Sequence, residues 1–158
     1  MAEINIAQSE ADSLIAMEKQ RADNTRWLFL AGERLAIPLT SMDRRENFIL
    51  DMTRYQIKIT KATYQNRARQ AVILMRLDID GPPHRNPEDK NLGSLSAWSG
   101  QLIQCPHLHT YVEGYADKWA IPAPIDRYPD CGNLFATFEA FMVQRNILVR
   151  PDFQVGLF

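Results

Sequence analysis

The run Ala71-Val-Ile-Leu-Met-Arg-Leu-Asp-Ile-Asp80 constrains the fold of this chain more than any other stretch. Side chains alternate along a strand, so Ile73, Met75, Leu77 and Ile79 fall on one face and Arg76, Asp78 and Asp80 on the other. Gly81-Pro82-Pro83 stops the run, which makes it a central strand with a polar end. A central strand needs neighbours. Trp27–Leu30 and Leu35–Leu39 suit a hairpin, with Pro38 marking an edge because it lacks a ladder donor. Phe48–Met52 and Tyr55–Thr60 alternate as a second hairpin, with Tyr55, Ile57 and Ile59 inward. His107–Val112 and Lys118–Ile121 add strands on either side of a turn at Gly114. Ser9, with Asp12 three residues on, predicts a helix over 9–22. Leu134, Phe135, Phe138, Phe141 and Met142 recur at helical spacing and predict a second over 132–146. Residues 81–104, with Asn86-Pro87, Gly93, Gly100 and several serines, have the composition of a long loop, and Val155-Gly-Leu-Phe158 is apolar enough to dock. The expected fold is α+β: an antiparallel sheet of five to six strands flanked by an N-terminal and a C-terminal helix, with residues 1–158 as a single domain.

At 158 residues, 46% hydrophobic and 23% charged, the chain can bury a core without staples. Its longest apolar runs fall far short of the roughly 20 residues that cross a bilayer, and the N-terminus lacks the pattern of a secretory signal. A cytoplasmic protein with no membrane partner is expected. Cys105 and Cys131 have no CxxC neighbour and read as reduced structural thiols. A net charge of −1 disfavours coating of long nucleic acids and leaves only a local basic patch, Arg67, Arg69 and Arg76.

His107-Leu-His109 is the sharpest chemical feature, since positions i and i+2 of a strand address one ligand or phosphate from one side. Glu113 lies further along the same parity. His107, His109 and Glu113 match part of the cupin metal motif, although Ala120 stands where that motif has glycine and no later histidine completes it. Without a metal, the two imidazoles can divide the roles of base and acid, with Arg76 and Lys118 clamping a phosphate. His84, held by Gly-Pro-Pro at the strand exit, joins them as a candidate. An active site is expected if His84 lies within about 10 Å of the pair and faces a cleft. Asp78 and Asp80 could orient a histidine or hold a cation, but an Asp-x-Asp at a strand end reads first as a solvated edge or turn initiator. Tyr111, Tyr115 and Trp119 are candidates to stack bases, and Arg67 and Arg69 to contact phosphate. No phosphate-binding glycine loop, nucleophile elbow or paired-cysteine zinc pattern is present.

The segments Arg76-Leu-Asp-Ile-Asp-Gly-Pro-Pro-His-Arg-Asn-Pro87 and Pro106-His-Leu-His-Thr-Tyr-Val-Glu-Gly-Tyr-Ala-Asp-Lys-Trp-Ala120, with Thr63-Tyr-Gln-Asn-Arg67, resemble a family of small stand-alone bacterial proteins of unknown function. Against that family, residues 88–104 look like an insertion. Such proteins are similar in size and layout to toxins of toxin–antitoxin pairs and to proteins of mobile elements. The leading expectation is a metal-independent endoribonuclease of toxin type that needs no cofactor. His109 serves as base or acid, His107 as its partner, and RNA or an antitoxin is bound, with a homodimer allowed. The alternatives are a non-catalytic protein from a mobile element that inhibits a host or phage-defence complex, and a metal-dependent enzyme using His107, His109 and Glu113.

Overall fold

Period-two alternation between residues 47 and 79 sorts the chain into a buried and a half-exposed face, and one large sheet is built on it. The computed structural model describes residues 5–155. Helix α1 (Gln8–Ala16) precedes strands β1 (Lys19–Arg21), β2 (Arg26–Phe29), β3 (Arg34–Ser41), β4 (Asn47–Arg54), β5 (Ala62–Ala68) and β6 (Val72–Ile79). Two short strands, β7 (His84–Arg85) and β8 (Leu102–Ile103), enclose a 3-10 turn at Gly93–Trp98. Then follow β9 (His107–Val112), β10 (Ala116–Pro122), helix α2 (Leu134–Gln144), β11 (Ile147–Val149) and β12 (Asp152–Val155).

The α+β class holds, but the sheet is larger than expected and mixed. Eight strands run in the order β10-β9-β6-β5-β4-β3-β1-β11, with β1 and β11 parallel at one edge. Phe48, Leu50 and Met52 of β4 and Ala62, Tyr64 and Ala68 of β5 point to the buried face, where α1 and α2 lie over one core. Tyr64, Phe29 and Phe138 meet there with ring centroids 4.7–6.4 Å apart. Asn133 caps α2 by accepting the Ala136 amide at 3.0 Å. No helix among the described residues is long and apolar enough to cross a membrane.

Several expectations are corrected, each by a long-range contact. The N-terminal helix covers 8–16 rather than 9–22, and Ala7 rather than Ser9 stands at its N-cap. Lys19–Arg21 forms a strand because β3 and β11 offer it ladders on both sides. Strands β2 and β3 do not form a hairpin: β2 pairs in parallel with β12, in a separate two-stranded sheet. Pro38 lies inside the large sheet, between partners rather than at its edge. Its carbonyl accepts the Ala22 amide on the side where β1 ends, so its missing N–H faces the place where pairing stops.

Residues 55–61 form a turn instead of a strand, β4 pairs with β5, and Ile57 and Ile59 point into solvent rather than inward. A register shift where β6 meets β5 places Leu74 opposite no partner, the signature of a bulge. Val72, Leu74, Leu77 and Ile79 are buried as a result, and Ile73 moves off their face. The 81–104 segment is not a structureless loop. Asn86, almost fully buried, donates to the Trp98 and Ala120 carbonyls at 3.0 and 2.7 Å and accepts the Ala120 amide at 2.8 Å, fastening the excursion to β10. Beyond α2 the chain docks as β11 and β12, while residues 156–158 lie outside the described residues.

Candidate functional site

Adjacent antiparallel strands place residues in facing pairs, and β6 against β9 sets Arg76 opposite His109 and Asp78 opposite His107. Their companions Leu77 and Leu108 face the core, so the polar four occupy the helix-free face. That face would be open to water if the chain continued away from β6. Gly81-Pro82-Pro83 instead turns it back, and Asn86 holds it against β10. His84 thereby stands over the strand histidines, its ring centroid 4.6 Å from His109 and 6.1 Å from His107, which lie 4.9 Å from each other. All three line one cleft of about 390 Å³, together with Arg76, Asp78, Lys61 and Thr63. The 10 Å condition set for His84 is met.

One carboxylate oxygen organises the cluster. Asp78 Oδ2 lies 3.1 Å from His107 Nε2, 3.2 Å from His109 Nε2 and 3.3 Å from Arg76 Nε, while Oδ1 accepts the Thr63 hydroxyl at 3.1 Å. Burial pushes this carboxyl up, yet when His107 and His109 also carry a proton on Nε2 their hydrogen bonds, with the Arg76 charge, outweigh it and hold the group well below the usual carboxylate range. Backbone carbonyls orient the rings. His107 Nδ1 is 3.2 Å from Ile103 O, and His109 Nδ1 is 2.8 Å from Asp117 O. A carbonyl only accepts, so both rings carry their hydrogen on Nδ1 and turn Nε2 toward Asp78. His109 Nε2 also faces Arg76 Nη2 at 3.0 Å, and Arg76 Nη1 donates to Asp117 Oδ2 at 2.8 Å.

His84 differs from the other two rings. His107 and His109 are only 2% and 1% exposed, whereas His84 is partly open. Its Nε2 donates to the Lys118 carbonyl at 2.7 Å, and its Nδ1 has no protein partner among the described residues. Burial lowers its pKa, opposed by that carbonyl and reinforced by the charges of His109, His107 and Arg76. A neutral ring with a bare nitrogen in a cleft can accept a proton. Cys105, with Sγ 3.6 Å from His107 Nδ1, is no activated thiolate, because burial raises its pKa. Both cysteines are free.

Other residues singled out in the sequence lie elsewhere. Lys118 contributes its carbonyl, and its exposed side chain does not line the cleft. Arg67 grips Asp51 with two nitrogens at 2.8 and 3.1 Å. Arg69, past the end of β5 at φ 53°, bonds Glu10 and Glu46 at 2.6 and 2.7 Å. Neither arginine is a free phosphate contact. Trp119 is fully buried, and the Tyr111 hydroxyl is spent on the backbone of Ile6, so neither offers a ring for base stacking. Tyr115 donates to Asp89 at 2.7 Å. Glu113 accepts the Gln8 amide at 3.0 Å and serves the start of α1; the carboxylate beside the histidines is Asp78. Asp117, Lys61 and Thr63 were missed, and Asp78, which could orient a histidine, reads in the sequence first as a solvated strand edge. A signal for Asp78 existed in the matching spacings Arg76-x-Asp78 and His107-x-His109, which pair directly if their strands are antiparallel neighbours.

Fold and cleft together define an α+β protein whose sheet carries a histidine–aspartate–arginine cluster on its helix-free face. The chain belongs to a family of unknown function, DUF6978, whose model matches residues 6–147 and so includes every cleft residue named above. No curated protein and no solved structure matches it.

Proposed function

We propose that the cleft is the active centre of a metal-independent endoribonuclease of toxin–antitoxin type. The observation that carries this reading is the convergence of three imidazoles and a guanidinium, from three separate segments, on one polar cleft. Cleavage of RNA by its own 2′-hydroxyl asks for a base, an acid and a cation on the phosphate. His84 Nδ1 takes the 2′-hydroxyl proton, and the freed oxygen attacks the adjacent phosphorus. Arg76 bears the charge that gathers on the phosphate oxygens. The bond from phosphorus to the 5′-oxygen breaks, leaving a 2′,3′-cyclic phosphate, and that oxygen takes a proton from the Lys61 ammonium. His107 and His109 are too buried to react first and hold Asp78 and Arg76 in register.

Purified protein incubated with RNA in EDTA is expected to yield fragments ending in cyclic phosphate, and His84→Ala to lose about 10²-fold or more of that rate. Intact RNA at high enzyme concentration overturns the reading. Expression of the wild-type chain, but not of His84→Ala, is expected to arrest growth.

A second reading, a non-catalytic protein that inhibits a host or phage-defence complex, is supported by Ile57 and Ile59. Both are exposed on the 55–61 turn, whose Tyr55 and Lys61 line the cleft. It predicts a stable protein partner that is lost on Ile57→Asp and retained in His84→Ala.

A further inference from the structure

The two strand histidines are arranged as metal ligands are. Each has its Nδ1 hydrogen committed to a backbone carbonyl, Ile103 O for His107 and Asp117 O for His109, which leaves both Nε2 lone pairs directed at one carboxylate oxygen. For a neutral imidazole this sets a lone pair against an anion at 3.1–3.2 Å, a repulsive contact unless a proton or a cation lies between them. A cation suits these separations. Ligand bonds of about 2.1 Å span edges of about 3.0 Å in an octahedron and about 3.4 Å in a tetrahedron. The ligand atoms of Asp78, His107 and His109 all lie within 4.8 Å of one another. Two imidazoles and one carboxylate are the donor set of many zinc sites, and the bare Nδ1 of His84 is a nearby fourth donor.

Arg76 is the competitor. Its Nη2 lies 3.0 Å from the His109 lone pair and its Nε 3.3 Å from Asp78 Oδ2, so a dication cannot share those atoms with it. Arg76 has somewhere else to go, because Asp117 holds Nη1 at 2.8 Å and about a quarter of its side chain is already in solvent.

We infer that Asp78, His107 and His109 form a binding site for a divalent transition-metal ion of the Zn²⁺ class, and that its occupation displaces Arg76 and silences the cleft. The binding half stands on the ligand geometry alone, whereas the inhibitory half rests on the ribonuclease reading. The Glu113 of the sequence motif takes no part.

The full chain, stripped with EDTA and desalted, is titrated with Zn²⁺ by calorimetry and with Co²⁺ by visible absorption. One ion per chain is expected. Asp78→Asn and His107→Gln each weaken binding by at least about tenfold, while Glu113→Gln leaves it unchanged. Arg76→Gln tightens binding by about tenfold, a gain that misfolding cannot mimic. Substoichiometric uptake, or one affinity across all variants, overturns the site. If RNA is cleaved in EDTA, one equivalent of Zn²⁺ is expected to stop it, and an unchanged rate at full occupancy overturns the inhibition. Stoichiometric, ligand-dependent binding with RNA intact under every condition keeps the site and removes the ribonuclease.

Discussion

The ammonium of Lys19 donates to the carbonyls of Ile15 and Met17 at the end of α1, at 3.2 and 2.8 Å, and to that of Arg145 at the end of α2, at 2.9 Å. One cation thus closes the negative ends of two helices. It is fully buried, and that burial together with the nearby Arg145 charge lowers its pKa from 10.5 to about 7. The folded value lies below the unfolded one, so unfolding takes up a proton between them and stability rises with pH across that window. Below about pH 7 this contribution is flat and at its least favourable. Urea titrations from pH 7 to 10 are therefore expected to show a positive slope, at most about 1.4 kcal/mol per pH unit, that is absent in Lys19→Met. A wild-type slope no steeper than that of the variant contradicts this account. Asp78 makes the same point about context. In the sequence it resembles a solvated strand end, and only the facing histidines reveal what surrounds it.

At the level of elements, the 81–104 excursion decides whether the cleft exists. Its composition reads as loop because β7 and β8 are each two residues long and carry no detectable period. What orders it is Asn86, which makes three hydrogen bonds to residues 12 and 34 positions away. Asn86→Ala removes them and leaves the Ala120 amide and carbonyl without their partner, an expected loss of about 2–4 kcal/mol in unfolding free energy. Faster hydrogen exchange at the Ala120 amide and altered His84 ring resonances in the same variant check that the damage is local. The bulge at Leu74 was likewise hidden, since a shift of parity depends on how β6 meets β5 and not on β6 itself. Helix α2 was legible, because Leu134, Phe138, Phe141 and Met142 form one apolar stripe whatever they pack against.

Across the whole molecule, α1 is nine residues long, too short to persist by itself, and is held by distant contacts. The Tyr111 hydroxyl bonds both the amide and the carbonyl of Ile6 at 2.8 Å, and Arg69 reaches Glu10. Tyr111→Phe is expected to cost about 1–2 kcal/mol in urea denaturation and to speed proteolysis near the N-terminus, with the sheet's circular dichroism unchanged. The sequence by itself determined the alternating faces of β4, the stripe of α2 and the common side of His107 and His109, because these follow from the geometry of consecutive residues. It also marked His84 as positioned by its prolines. Only the tertiary structure decided that β2 joins β12 and β1 joins β11, that Asp78 rather than Glu113 meets the histidines, and that Arg76 alone of three expected arginines lines the cleft. Those outcomes depend on which of several chemically equivalent partners the register brings within reach, and register is a property of the assembled sheet.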